Sequence, residues 1–117
     1  MDKYNLTAKR DTQAKSLSGG QKRKLQLAIA LMGDAKIVLL DEPSSGMDPT
    51  ARREAWEIIQ NAKQDRIIIL TTHYMDEAEF LADRVAIVSK GTLQACGSSL
   101  FLKRKYGQGL YIEIEPV

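Results

Sequence analysis

Two carboxylates stand side by side where an apolar run ends: Ile37, Val38, Leu39 and Leu40 lead directly into Asp41 and Glu42. Acids beyond the carboxyl end of a buried strand lie where open α/β sheets bind ligands. One such carboxylate can hold Mg²⁺, which favours oxygen and usually keeps several waters. Its neighbour can polarise an attacking water. A second group is Leu17, Ser18, Gly19, Gly20 and Gln21. Ser18 is a good helix N-cap, the two glycines let an anion approach the backbone, and the free N–H groups of a helix start favour anions. His73 follows Thr71 and Thr72 at the end of another apolar run. At the same sheet edge as Asp41 and Glu42 it is a candidate phosphate contact. Ser45, Gly46, Met47 and Asp48 form a turn and N-cap after the first run. Taken singly, each group also has a plain structural reading: a capped helix, a strand ending in acids, a turn, an exposed histidine.

The elements that must position these groups are legible in the pattern. Residues 37–40, 67–70 and 85–88 are short, continuous apolar runs rich in β-branched side chains, which predicts strands buried on both faces of a parallel sheet. Ala51, Ala55, Ile58, Ile59 and Ala62 recur at helical spacing and leave Arg52, Arg53, Glu54 and Lys63 outside the stripe. Asp48 before Pro49 reads as that helix's N-cap and first turn. Asp76 and Glu77 suit the positive end of a short helix. The order strand, helix, strand, helix, strand predicts an α/β fold, a mostly parallel sheet with flanking helices. Residues 25–32 are apolar on nearly all sides and predict a buried helix. Lys90 and Gly91 read as a hairpin turn between residues 85–88 and 92–95. Residues 98–106 predict a helix, and residues 111–115 alternate like a half-exposed strand. Residues 1–16 carry only a weak helical signal.

Bulk properties narrow the function. The chain of 117 residues is short enough for one domain at most. A net charge of +2 is too mild to argue for nucleic acid or an anionic membrane. The clusters Lys22–Lys24 and Lys103–Lys105 read as solvated helix faces. Cys96 is the only cysteine, so no internal disulfide is possible and a reducing compartment fits; after an apolar strand it reads as a small packing residue. No run approaches the ~18 apolar residues of a membrane span, and residues 1–16 show no apolar signal-peptide core.

In combination and in this order, the motifs resemble the ABC ATPase family from about Ala14 onward. In family terms Leu17–Gln21 is similar to the signature, residues 37–41 to Walker B followed by catalytic Glu42, Ser45–Asp48 to the D-loop, and His73 to the switch histidine. Lys22, Arg23, Lys24 and Leu25 after the signature resemble the A subfamily of eukaryotic ABC transporters, largely lipid exporters. So do the blocks at residues 41–49, 73–78 and 97–103. The resemblance implies the C-terminal portion of a P-loop NTPase (RecA-like) ATPase domain. Residues 1–33 would be the helical signature portion, 34–96 the α/β portion, and 97–117 a C-terminal helix and strand. It also implies ATP and Mg²⁺ as cofactors and a second ATPase domain as head-to-tail partner. The transporter's transmembrane domains would be further partners, and the location the cytoplasmic face of a membrane. Asp41 would hold Mg²⁺ through water, Glu42 would activate water, His73 would sense the terminal phosphate, and Asp48 would lie near nucleotide. Ser18, Gly19, Gly20 and Gln21 would contact ATP held by the partner.

One departure from the family pattern is large. No G-x-x-x-x-G-K-[ST] occurs, so the loop that cradles phosphates is expected upstream of Met1, with the stacking aromatic and the glutamine loop. Two alternatives stay open on sequence: a non-catalytic module that docks on a complete ATPase domain, and a piece of a soluble ABC ATPase of chromosome maintenance or translation.

Overall fold

Helix starts are set by capping side chains. Helix α1 (Gly19–Ala30) begins with a full capping box: Ser18 Oγ accepts from the Gln21 N–H at 3.3 Å, and Gln21 Oε1 accepts from the Ser18 N–H at 3.0 Å. Helix α2 (Pro49–Ala62) has Asp48 as N-cap and proline in its first turn. Strands β1 (Ile37–Asp41) and β2 (Ile67–Thr71) pair in parallel, with Ile37 opposite Ile67 and Asp41 opposite Thr71. Helix α3 (Met75–Leu81) follows β2, with Asp76 and Glu77 in its first turn. The structure, a computed structural model, describes Tyr4 and residues 6–107. Those residues form two compact units that divide after Leu81. The strand expected at residues 111–115 lies outside the described residues.

In the first unit the core gathers Leu27 and Leu31 from the α1 region, Val38 and Leu40 from β1, Met47, and Ala51, Ala55, Trp56 and Ile59 of α2, with Leu81 closing it. The larger aliphatic side chains among them contribute roughly 1.5–3 kcal/mol each. The α2 stripe packs as its spacing predicts. The sheet does not match its expectation of burial on both faces. Only the face carrying Val38 and Leu40 is covered, while Ile37, Leu39, Ile67 and Ile69 remain 60%, 72%, 63% and 55% exposed. A parallel sheet of two strands has helices on one side here, and the apolar run alone cannot say whether a second layer is present.

Helix α1 also differs from a helix buried on all sides: Leu27 and Ala28 are buried, but Ile29 and Met32 face solvent. Lys24, read as part of a solvated cluster, is buried and paired with Glu54 of α2. Its aliphatic stem lies along the helix contact while the ammonium finds a carboxylate. The polar N-terminal segment includes the 3-10 turns Thr7–Lys9 and Ala14–Ser16.

The second unit is a hairpin and a helix. Strands β3 (Val85–Ser89) and β4 (Thr92–Gly97) are antiparallel, with a bulge between Ile87 and Val88. Lys90 and Gly91 both have positive φ (51° and 73°), the backbone a two-residue hairpin turn demands. Helix α4 (Ser99–Tyr106) starts from Ser98, whose Oγ accepts from the Phe101 N–H at 3.1 Å. A side chain at Gly97 would meet Phe101 Cδ1 at 2.5 Å, so the ring of Phe101 lies where only glycine leaves it undisturbed. Cys96 is exposed rather than packed, since alternation along β4 places it on the outer face. No helix among the described residues is long and apolar enough to cross a membrane.

Candidate functional site

Parallel pairing brings the predicted acids and the histidine to one edge. Because Asp41 lies opposite Thr71, Thr71 Oγ1 donates to Asp41 Oδ1. The Glu42 N–H then donates to Thr71 O at 3.1 Å and reaches Thr71 Oγ1 at 3.2 Å. Glu42 has φ 49°, in the left-handed region that side chains other than glycine rarely adopt. Such a conformation costs on the order of 1–3 kcal/mol and persists where the surroundings impose it, often at functional sites. Here the two bonds to Thr71 and the Ser45 N–H donating to Glu42 O at 3.1 Å impose it.

The strained turn carries the Glu42 carboxylate back toward β2. His73 Nδ1 approaches Glu42 Oε2 at 2.6 Å. The approach is a charge contact available to the protonated imidazole rather than an aligned hydrogen bond, because Oε2 is buried without a hydrogen-bond donor. A buried carboxylate oxygen with no donor retains its capacity to accept a proton or a water. Beside Asp41 a cavity of about 180 Å³ opens between α1 and β1, lined in part by Arg23, Gln26, Leu39 and Pro43.

The two helix starts form a second locality. Gly20 faces α2 closely enough that a Cβ there would lie 3.9 Å from Ala51 Cβ. Gly19 faces open space, and its backbone does not have positive φ. Neither packing nor backbone geometry within the chain therefore calls for glycine at 19. The capping box uses the Gln21 N–H; those of Gly19 and Gly20 precede the first intrahelical bond, which runs from the Lys22 N–H to Ser18 O. Asp48 Oδ1 accepts from the N–H groups of Thr50 and Ala51, each at 3.0 Å. The Ala51 N–H, with that of Thr50 behind it, holds the Asp48 carboxyl below the usual aspartate range against a smaller opposing effect of desolvation.

Asp41, Glu42 and His73 are thus brought together, and Ser18–Gln21 and Asp48 lie at neighbouring helix termini. Among the described residues no hydrogen bond or ion pair joins Ser18–Gln21 to the carboxylates or the histidine. Nor do any three His, Cys, Asp or Glu side chains among them converge as a metal cage. The donor set fits Mg²⁺ held by one carboxylate with waters and phosphate oxygens, since exposed Asp41 uses Oδ1 for Thr71 and keeps further lone pairs. An anion fits the open approach to Gly19.

Several contributors escaped the sequence reading. Thr71 locks both acids. Tyr74 lies against His73, with ring centroids 4.1 Å apart, and the Arg52 guanidinium sits 4.0 Å from the Tyr74 centroid. Glu77, read as a dipole residue, is wholly buried and accepts from Trp56 Nε1 at 2.8 Å. The available signals were Tyr74 beside the histidine and a lone tryptophan in an amphipathic helix.

A parallel sheet with acids at its carboxyl edge and flanking capped helices defines an α/β ligand-binding fold of the nucleotide-binding kind. A family model described as ABC transporter matches residues 1–45. Phospholipid-transporting ATPase ABCA3 of Rattus norvegicus is 56% identical over 109 residues, covering 93% of this chain and 6% of the relative. Cholesterol transporter ABCA5 of Rattus norvegicus is 53% identical over 105 residues, covering 90% of this chain and 6% of the relative. A solved structure described as the ATP binding subunit of an ABC transporter matches with TM-score 0.76 at 26% identity, over 91% of this chain and 45% of that one. The chain belongs to the ABC transporter ATP-binding family and is most like its A subfamily. It spans about 6% of the length of these curated relatives.

Proposed function

We propose that this chain supplies the hydrolytic edge and the signature terminus of an ATP-hydrolysing ABC cassette, in a transporter that moves lipid. The observation that carries the reading is the convergence of Asp41, strained Glu42 and His73 at the carboxyl ends of β1 and β2. Asp41 would hold the cation, and Glu42 accepts the proton of an attacking water as its oxygen bonds the terminal phosphorus and ADP leaves. His73, beside Glu42, contacts the terminal phosphate. Mg²⁺ supplies charge neutralisation on the phosphate oxygens when bound. The N–H groups of Gly19 and Gly20, with Ser18 and Gln21, bind ATP held by a second cassette, head to tail. Asp48 fixes the helix that carries the D-loop beside them.

Lipid as cargo rests on relatives named as phospholipid and cholesterol transporters. The phosphate cradle, the membrane-spanning partners and a place at the cytoplasmic face belong to the wider assembly.

Glu42→Gln, made in the complete cassette that carries this chain, tests the reading. It nearly preserves volume and removes the proton acceptor, so hydrolysis should fall about 10²–10⁴-fold. Equilibrium nucleotide binding should survive. Unchanged turnover would place the base elsewhere.

A further inference from the structure

His73 is 59% exposed in its side chain, and a solvent-facing imidazole has a broad torsional well about its terminal bond. Yet its place against Glu42 depends on one ring orientation. Adjacent residues in extended backbone point to opposite sides, so contact between the rings of His73 and Tyr74 is not a consequence of sequence adjacency. It arises because the chain turns after β2: the Tyr74 N–H donates to Thr72 Oγ1 at 3.0 Å, folding Tyr74 back under the histidine. The two rings meet at 4.1 Å with their planes 37° apart.

Tyr74 is in turn in contact with Arg52 of α2. The Arg52 guanidinium carbon stands 4.0 Å from the Tyr74 centroid, well inside the ~6 Å range of cation–π attraction. Arg52 Nε is buried with no acceptor, so the aromatic face, rather than a hydrogen bond through that nitrogen, accounts for the guanidinium's placement. Arg52 also belongs to the first turn of α2, where its N–H donates to Asp48 O at 2.9 Å. The contacts run without a gap from Asp48 through Arg52, Tyr74 and His73 to Glu42.

We infer that Tyr74, clamped by Arg52, is the positioning residue that sets the imidazole of His73 against Glu42 and ties its orientation to the Ser45–Asp48 turn. The inference rests on the reading of Glu42 and His73 as hydrolytic groups. Tyr74 touches neither substrate nor the reacting atoms; it acts through His73. The face of its ring supplies the contact, so Tyr74→Phe should retain the function and Tyr74→Ala should lose it.

The test uses the complete cassette, with the His73 imidazole proton resonances assigned by their disappearance in His73→Gln. In the parent these resonances should carry an upfield ring-current shift from Tyr74. Tyr74→Phe should keep that shift, Tyr74→Ala should abolish it, and Arg52→Gln should reduce it. Hydrolysis should follow the same order: Tyr74→Ala lowers kcat by about tenfold or more, as small misplacements of reacting groups do, with KM for ATP nearly unchanged. An imidazole resonance unmoved by both Tyr74→Ala and Arg52→Gln would overturn the inference. Arg52→Gln changes a half-buried side chain, and it keeps the test valid if Tyr74→Ala does not fold. Should His73→Ala and Glu42→Gln both leave turnover intact, the hydrolytic reading fails and the stack loses its catalytic purpose, while the ring-current result still reports the geometry.

Discussion

The edge that bears Glu42 and His73 and the helix start that bears Ser18 to Gln21 work by different physics. At the sheet edge, side chains are forced together: Glu42 takes a left-handed backbone, its Oε2 is buried without a donor, and His73 is pressed against it. At the start of α1 nothing is strained. The capping box satisfies both of its partners, and what remains is open backbone in front of Gly19. On the proposed reading, the first locality stores conformational cost to present reactive groups, and the second is an ordinary helix terminus whose use lies in what it leaves uncovered. Chemistry should therefore fail when the first is altered and assembly when the second is.

The largest expected effect separates the two outright. Ser18→Arg, made in the Glu42→Gln background, should abolish the ATP-dependent dimer while each monomer still binds ATP. The substitution puts a long side chain in the approach to the α1 terminus. Size-exclusion chromatography with ATP reads it. A dimer that persists would remove the terminus from any role in trans.

Next in size is a change to what holds α3 beside the sheet edge. Trp56→Phe removes the N–H donated to buried Glu77 and leaves that carboxylate with no donor at either oxygen. A stranded buried acceptor costs about 1–3 kcal/mol or more when charged. Adding Glu77→Met to Trp56→Phe should recover much of the loss, because removing both partners is nearly neutral. Denaturation of the cassette measures both, and equal stability of the single and double variants would assign the cost to packing against Phe80 instead.

Gly19→Ala sharpens the contrast further, because stability and function should move in opposite directions. The position is helical and free of neighbours, so the methyl group should stabilise the fold by roughly 0.4–1 kcal/mol. It should also weaken ATP-dependent association by filling the space in front of the first N–H groups. A stabilised variant with unweakened association would show that this open space serves no ligand.

How much of this was legible varies with how local each feature is. Asp41, Glu42, His73 and the caps at Ser18 and Asp48 were readable because strand ends and helix starts declare themselves within a few residues. The lock by Thr71 depends on parallel register, which puts it opposite Asp41. Trp56 with Glu77 and Arg52 with Tyr74 depend on how α2 meets α3. Glu77 was legible only as an acid whose type and place suited a helix dipole; its burial was decided by the tryptophan on another helix. The open face at Ile37, Leu39, Ile67 and Ile69 was read as covered for a related reason. An apolar run records that a strand suits two apolar layers, and it does not contain the second layer.

The smallest expected effect concerns Asp48, which touches the second locality through the start of α2. The Ala51 and Thr50 N–H groups lower its carboxyl below the ordinary aspartate value in the folded chain. A group whose folded pKa is depressed contributes stability that is complete above its unfolded value, about 3.9, and is lost as pH falls through the folded value. Asparagine caps a helix about as well but does not titrate there. The melting temperature of the parent cassette minus that of Asp48→Asn should therefore be constant from neutral pH down to about pH 5 and then fall below about pH 4. Other carboxylates titrate alike in both proteins and cancel in the difference. Asp48→Ala, which removes the cap itself, should be less stable than both at neutral pH. A difference between parent and Asp48→Asn that stays flat through pH 3 would mean the carboxylate charge adds nothing to the cap, and that the helix start is held by hydrogen-bond geometry alone.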